Sequence, residues 1–588
     1  MKLRSFFSIL TAGVLVLLLI GASGFFWLTS KSPLTLLKGG SVANPAAAIF
    51  VPRQAPVMVS LLVNPDRLEA FRQVVAPPGE RRRSRAELNQ LKQSLLADKG
   101  LDYRRDIQPW LADEITWAVT TPDIDRNQQN GKQPGYLLVA TTKNANTARE
   151  FVQLFWQKQA IAGTDLVFEQ YKGVKLIYNN QQPAASPQRS TSNQKSNLTT
   201  RNALATAVVG DRFVVFANHP KVLREAINNV QAPSLSLTDA NSYQIALEKL
   251  TEPRIGVAYV NLPALAVWQG SQSTASVTPQ QGSQSYESVA IALGLNRQGL
   301  LAETSLIAAA DKEVPGKAPV LSQPVGALQY VPTSSSLVAA STNLEQLWNQ
   351  LSAGVTSDNP LSQLLNQSLT SLETAWGIQL PKEVFSWVQG EYALGLLPRP
   401  DRQYPDWIFV AEKAATTEES IEHLDAIAKE KGFSVGALPL GNQTVTGWTK
   451  LTTAPVAAGQ DQSVLKLNAQ VQGVHTQAGK YEIFASSVEA MDQALKAPQK
   501  SLVASTDFKN AIAPLPQPND GYFYVDWAST QPILEQQVPI FRVAELVGKP
   551  LFANLRSLTI SSYGTDTGVQ RSKVFFRLGN TTTSSHDK

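Results

Sequence analysis

The sequence predicts an α+β protein: two tandem homologous domains, each a largely antiparallel sheet with helices on one face, behind one N-terminal transmembrane helix. Three observations carry that expectation. The chain repeats itself at a slowly drifting offset, its strand-like runs mostly follow one another without an intervening helix, and residues 6–28 carry no charge. A parallel doubly wound sheet would need a helix after nearly every strand, and that alternation is missing.

The repeat is legible residue by residue. Phe50-Val51-Pro52, then Ala55-Pro56-Val57-Met58-Val59-Ser60, returns as Tyr330-Val331-Pro332, then Ser336-Leu337-Val338-Ala339-Ala340-Ser341. Trp110-Leu111-Ala112-Asp113-Glu114 returns as Trp387-Val388-Gln389-Gly390-Glu391. The offset is 280 from Pro52 to Pro332, 277 from Trp110 to Trp387, 268 from Phe216 to Phe484, 265 from Tyr259 to Tyr524 and 270 from Gly294 to Gly564. An ordered drift of this kind is what duplication followed by loop insertions and deletions leaves behind. The period is far beyond the roughly 20–50 residues of solenoid repeats.

These borders divide the chain into a cytoplasmic N-terminus (1–5), an anchor (6–28) and a Ser/Pro/Gly/Ala-rich linker (29–47). A first repeat (48–310), an interdomain linker (311–324) with Pro315, Pro319 and Pro324, a second repeat (325–580) and a tail (581–588) follow. At 588 residues the chain exceeds what one hydrophobic core usually serves. The run Phe6 to Leu28 passes the roughly 20 residues that cross a bilayer and ends in Phe25-Phe26-Trp27, which suits the interface. A cleaved signal has a shorter apolar region with a small-residue site directly after it. Lys2 and Arg4 favour a cytoplasmic N-terminus, with the body exported to a periplasm-like or lumenal space.

Matching segments agree in local pattern. Residues 135–142 and 406–413 read as buried strands, each leading to a helix with a capping box, Thr147-x-x-Glu150 or Thr416-x-x-Glu419. Residues 211–217 and 479–485 are strands entering helices 221–229 and 488–496, followed by strands 255–260 and 521–525. Hairpins 288–296/300–308 and 556–563/569–577 close the two copies. The polar tracts 179–202 and 269–285 belong to the first copy alone.

Composition excludes more chemistry than it suggests. There is no cysteine, which removes disulfides, thiolate nucleophiles and cysteine metal sites. Four histidines, His219, His423, His475 and His586, are a thin supply for acid–base work, and those compared between copies do not recur. Neither a Gly-x-Ser-x-Gly elbow nor a glycine-rich phosphate loop occurs. A net charge of +5 without a long basic stripe gives no nucleic-acid footprint. We therefore expect no catalytic residues, no metal and no cofactor. Asp123-Ile-Asp125-Arg-Asn127 lacks the glycine and the final carboxylate of a calcium loop and reads as a hairpin turn ending Asn130-Gly131.

Two groups stand out as binding candidates. Trp110 with Glu114, and Trp387 with Glu391, are the shared signal of both copies; either they mark a groove, or the aromatic fills core while the acid bonds nearby backbone. Arg81, Arg82, Arg83 and Arg85 form the densest basic cluster, suited to anionic headgroups or to a solvated loop.

With the anchor, the Phe-Val-Pro opening and the repeated Trp-x-x-x-Glu segment, the chain resembles the cyanobacterial domain-of-unknown-function 3352 family, single-anchor membrane proteins of unassigned activity. The resemblance covers nearly everything after residue 45 and implies a host and a topology, with periplasm or thylakoid lumen as the exported side. It implies no catalytic residue. The expected function is a non-enzymatic, membrane-anchored binding, scaffold or assembly protein with a protein partner in the envelope or thylakoid. The alternatives are an envelope hydrolase acting on glycan with carboxylates, which clustered acids in an interdomain cleft would favour, and a lipid or pigment carrier, which needs an enclosed apolar cavity.

Overall fold

The structure is a computed structural model that describes residues 40, 42–66, 101–126, 133–179, 204–268, 286–309, 318–344, 383–399, 405–458, 462–531, 552, 554–566 and 568–579. The expected anchor 6–28 lies outside them; among the described residues no helix is long and apolar enough to cross a membrane.

The architecture is α+β and every strand pairing is antiparallel. The first half contributes β1 (Val57–Leu61), β2 (Leu111–Thr121), β3 (Gly135–Thr142), β4 (Leu166–Tyr171), β5 (Val174–Asn179), β6 (Ala205–Val209), β7 (Phe213–Ala217), β8 (Gly256–Asn261), β9 (Tyr286–Asn296) and β10 (Gly299–Ala308). The second contributes β11 (Leu337–Thr342), β12 (Glu391–Leu397), β13 (Asp406–Glu412), β14 (Ser434–Leu440), β15 (Gln443–Ala458), β16 (Gln462–Ala478), β17 (Tyr481–Ala485), β18 (Tyr522–Asp526), β19 (Leu555–Asp566) and β20 (Val569–Leu578).

Their pairing runs β4-β5-β6-β7-β3-β2-β1-β8-β9-β10 in the first half. In the second it runs β14-β15-β16-β17-β13-β12-β11-β18-β19-β20, the same order with ten added to each number. The halves then join edge to edge: β10 pairs with β20 from Gly299↔Arg577 to Ile307↔Val569. Left alone, β10 and β20 would each end a sheet with a row of unpaired backbone groups; pairing with one another removes both edges. Among the described residues one sheet of 20 strands results.

The α-helices described from end to end are α1 (Ala145–Ile161), α2 (Pro220–Gln231), α3 (Asn241–Glu248), α4 (Leu262–Trp268), α5 (Thr417–Glu430), α6 (Val488–Lys496) and α7 (Thr506–Ile512). They cover both faces of the sheet, which corrects the expectation of helices on one face. Val222, Leu223, Ala226 and Ile227 of α2 pack with Leu137, Val139, Val215 and Ala217. Ala148, Phe151 and Phe155 of α1 pack with Ala140 and Val214, the alternate positions of the same strands. The second half repeats the division: α6 packs with Ile408, Val410 and Ile483, and α5 with Phe409, Ala411 and Phe484. Successive strand side chains point to opposite faces, so a run such as Phe213-Val-Val-Phe-Ala217 is apolar on both and needs cover on both.

Nor do the capping boxes form. Asn144 caps α1, accepting from the amides of Asn146 and Thr147. At α5, Thr416 holds the N-cap position without a side-chain bond, and the Thr417 hydroxyl accepts from the Ala414 amide instead. The central core crosses the junction: Val59, Val260, Ile291 and Ala302 share a cluster with Trp527, Phe552, Val574 and Phe576.

Candidate functional site

Trp110 precedes β2 and is 2% exposed. Its indole N–H donates to the Asp106 carbonyl at 2.8 Å, and its ring stacks on Phe151 of α1 at 5.3 Å. Four residues on, Glu114 accepts from three donors. Oε1 takes the Ala47 amide at 2.8 Å and the Thr116 hydroxyl at 2.9 Å, and Oε2 takes the Ala46 amide at 2.9 Å. Those amides open the 3-10 turn Ala46–Phe50 and have no partner within it. A carboxylate there satisfies them and the positive end of the turn together. The buried acid therefore pins the turn Ala46–Phe50 onto β2.

Trp387 and Glu391 repeat the arrangement, but less enclosed. The Trp387 indole donates to the Glu383 carbonyl at 3.2 Å, and its ring lies 6.4 Å from Phe484. Glu391 Oε2 accepts from the Gly326 amide at 3.0 Å, at the start of the 3-10 turn Gly326–Tyr330, and from the Tyr481 hydroxyl at 2.5 Å. Beside it, Lys480 Nζ is 3.7 Å from Glu391 and 2.8 Å from Glu412, whose Oε2 accepts from the Glu391 amide at 3.0 Å. That amide and the Lys480 ammonium hold Glu412 below the ordinary carboxylate range. Burial, then the bond to Glu391, pushes the Tyr481 phenol upward.

This second acid opens on a cleft of about 690 Å³, where Gln323, Gln329 and Tyr330 stand opposite Lys480 and Tyr481. The Tyr330 and Tyr481 rings meet edge to face at 5.7 Å. Aromatic edges, amides and one paired ammonium can hold a polar ligand by stacking and hydrogen bonding. The phenol proton is already committed to Glu391. The structure does not bring the two repeated acids together: nine strand spacings part β2 from β12, on the order of 40 Å along the sheet. Arg81, Arg82, Arg83 and Arg85 lie outside the described residues, as do Asn130 and Gly131.

His475 had no role assigned from sequence, and here it is the centre of a buried charged group. Nδ1 is 3.1 Å from Glu482 Oε1 on β17, and Nε2 is 3.1 Å from Asp425 Oδ1 on α5. The Trp448 indole also donates to Asp425, at 2.6 Å, and the Phe484 ring stacks on the imidazole at 5.6 Å. Burial pulls His475 toward the neutral form, but its bonds to both carboxylates and their charges prevail and push it up to about 9. Burial works to raise Asp425, and the bonds from His475 and Trp448 overcome that and hold it low. In the first half, Trp156 of α1 donates to Thr206 of β6 at 2.7 Å in the comparable layer. The signal available in the sequence was a glutamate inside the otherwise apolar run Tyr481–Ala485, with a histidine seven residues before it. Of the other histidines, His219 Nδ1 caps α2 by accepting from the Lys221 amide, and His423 lies exposed with Nε2 3.0 Å from Glu383.

A second cavity, about 530 Å³, straddles the junction, with Glu252, Leu301 and Glu303 facing Asn510 and Pro514. Glu303 accepts from the amides of Thr251 and Glu252, both at 3.0 Å, and from the Tyr563 hydroxyl at 2.9 Å. Lys573 donates to Glu252 at 2.6 Å. Among the described residues, no group of three or more His, Asp or Glu is placed to hold a metal ion.

Among solved structures the chain is similar to crystal form III of TP0453, at 10% identity and a TM-score of 0.21, over 46% of this chain and 82% of that one. Crystal form I of TP0453 gives 10% identity and a TM-score of 0.22, over 46% and 81%. Likeness of this degree carries nothing over to this chain. No curated protein matches it. The family described as "Protein of unknown function (DUF3352)" matches residues 10–578, nearly the whole length, and the chain belongs to that family.

Proposed function

We propose that the chain is a non-enzymatic binding or assembly protein, tethered to a membrane by residues 6–28, with its body in the periplasm or thylakoid lumen of a cyanobacterium. We further infer that its halves arose by duplication of one module. The observation that carries this reading is the unbroken sheet. The same ten-strand order occurs on both sides of the β10–β20 pairing, and nineteen spacings give a strand-to-strand contour of roughly 90 Å. A long, edge-joined platform whose repeated acids serve as turn caps supports presentation of surfaces better than turnover. The cleft beside Glu391 is the binding face we assign to it.

The test is a photo-crosslinking residue at Gln329, in membranes of the source organism, with the same residue at exposed Leu235 as control. A defined adduct at the cleft and none at the control is expected. A C-terminal reporter active only in the cytoplasm would overturn the topology.

One observation favours the hydrolase reading: Glu252 and Glu303 both line the junction cavity. Glu303 is held by four donors and Glu252 by Lys573, whereas glycoside hydrolysis needs one proton-bearing acid and one carboxylate facing substrate. Glycan cleavage by the purified chain that Glu303→Gln abolishes, with no adduct at the cleft, would establish that reading in place of the first.

A further inference from the structure

The two repeated acids hold equivalent turns, yet the second has lost partners that the first keeps. Glu114 Oε1 ends a chain of hydroxyls: Ser60 and Thr116 meet at 2.8 Å, and Thr116 donates onward to the acid at 2.9 Å. Thr116 follows Glu114 by two residues and faces Ser60 across the β1–β2 register. Two residues after Glu391 stands Ala393, which faces Ala340 across β11–β12. Both hydroxyls are gone. Glu391 Oε2 then serves the whole cap, taking the Gly326 amide and the Tyr481 hydroxyl. Oε1 accepts from no group among the described residues, and the side chain lines the cleft.

The neighbouring ring pair changes in the same sense. Phe50 and Phe213 meet edge to face at 5.0 Å and are both buried. Tyr330 and Tyr481 take their places 280 and 268 positions on, and Tyr330 is only half-buried. Of the residues lining the cleft, Glu391 and Lys480 carry charge, one of each sign, with Lys480 Nζ 3.7 Å from Glu391 Oε2. Lys480 gives one of its three N–H donors to Glu412. Ser322, Gln323 and Gln329 add neutral polar groups.

A cation entering here would meet the Lys480 ammonium, and an anion would meet Glu391, so the pair selects a neutral ligand. An ionised carboxylate only accepts and an ammonium only donates; a hydroxyl does both, and adjacent hydroxyls can serve the two at once. The cleft volume, about 690 Å³, is that of a small-molecule site.

We propose that the Glu391 cleft takes a neutral saccharide, whose hydroxyls donate to Glu391 Oε1 and accept from Lys480 while its ring lies against Tyr330. This rests on the cleft being the binding face of the chain and names the chemistry that the cleft recognises.

The full-length protein in phosphatidylcholine nanodiscs is mixed with maltotriose, with chitotriose or with the cationic probe acetyl-lysine methylamide. Saturation transfer from protein to probe is then read by nuclear magnetic resonance, against empty discs. Transfer to a trisaccharide and none to the lysine derivative is expected. Ala393→Thr returns to Oε1 the hydroxyl that its counterpart has, and should weaken binding about tenfold. That change adds bulk at a buried position, so Lys480→Met, at an exposed side chain, is its companion and should also weaken binding. No transfer to either trisaccharide, transfer to the lysine derivative instead, or transfer that both variants leave unchanged would overturn the proposal. A protein adduct at Gln329 without saccharide transfer would remove the saccharide and leave the cleft as a binding face.

Discussion

Glu303 of β10 lies directly opposite Lys573 of β20, at the middle of the strand pair that joins the two halves. The two are 270 positions apart, the same offset that separates Gly294 from Gly564. A residue facing its own counterpart marks where a two-fold relating two copies would cross. In a symmetric dimer both positions would hold the same residue; in this chain they are an acid and a base. Glu303 turns to the amides of Thr251 and Glu252, and Lys573 reaches the Glu252 carboxylate.

That asymmetry holds the junction together. Glu303→Gln places an amide N–H₂ against groups that are themselves donors, and should lower stability by about 2 kcal/mol. Lys573→Met, whose partner Glu252 reaches water, should cost about 1 kcal/mol. Urea unfolding of the full chain checks both, and equal costs would sink the distinction.

Gly299 opens β10 with φ of +159°, and a Cβ there would lie 1.9 Å from the Phe576 carbonyl oxygen across the junction. Gly299→Ala must therefore push β10 from β20 and should cost at least ~2 kcal/mol. Gly163 also has positive φ, +85°, but nothing within 4 Å of a Cβ, so Gly163→Ala should cost about 1 kcal/mol, the strain alone. Paired thermal melts rank the two.

His475 makes stability depend on pH in a defined window. Its folded value is raised to about 9 from an ordinary 6.5, so the folded state holds the proton more tightly than the unfolded chain. The contribution is complete below 6.5 and is lost as pH rises through about 9. Its size is on the order of 3 kcal/mol. Urea midpoints taken across that window should fall for the native chain. His475→Gln should flatten the slope and leave a protein weaker at neutral pH, with Asp425 and Glu482 deprived of a cation. An unchanged slope would remove His475 as the cause.

Glu114 and Glu391 cap equivalent turns but should differ in cost. Glu114→Ala strands the buried amide of Ala47 and the half-buried amide of Ala46 and should cost about 3 kcal/mol. Glu391 borders an open cleft where water can replace it, so Glu391→Ala should cost about 1 kcal/mol. Hydrogen exchange at Ala46 and Ala47 should accelerate in the first variant, and unchanged protection would argue against the cap.

Much of the fold was legible because its signals are local. The apolar run 135–142 predicts β3, and residues 288–296 and 300–308 fall inside the hairpin β9–β10. Helix starts were misread because Asn144, three residues before Thr147, takes the first amides and draws Thr147 into the helix, and spacing alone cannot show which of the two caps it. Helix placement on both faces was implied by strands apolar at consecutive positions, such as 213–217, but that inference requires knowing which helix covers which face.

By itself the sequence determined strands such as β3, β7, β13 and β17, the two closing hairpins and the recurrence of Trp110-x-x-x-Glu114 as Trp387-x-x-x-Glu391, since each depends on residues a few positions apart. Only the tertiary structure decided that β10 and β20 share an edge, that both repeated acids hold distant turns, and that His475 meets Asp425 from one element and Glu482 from another. Strand edges and buried charges are satisfied by whatever the rest of the chain brings to them. Those partners lie 7 to 278 positions away, and spacing along the chain does not say which of them will meet.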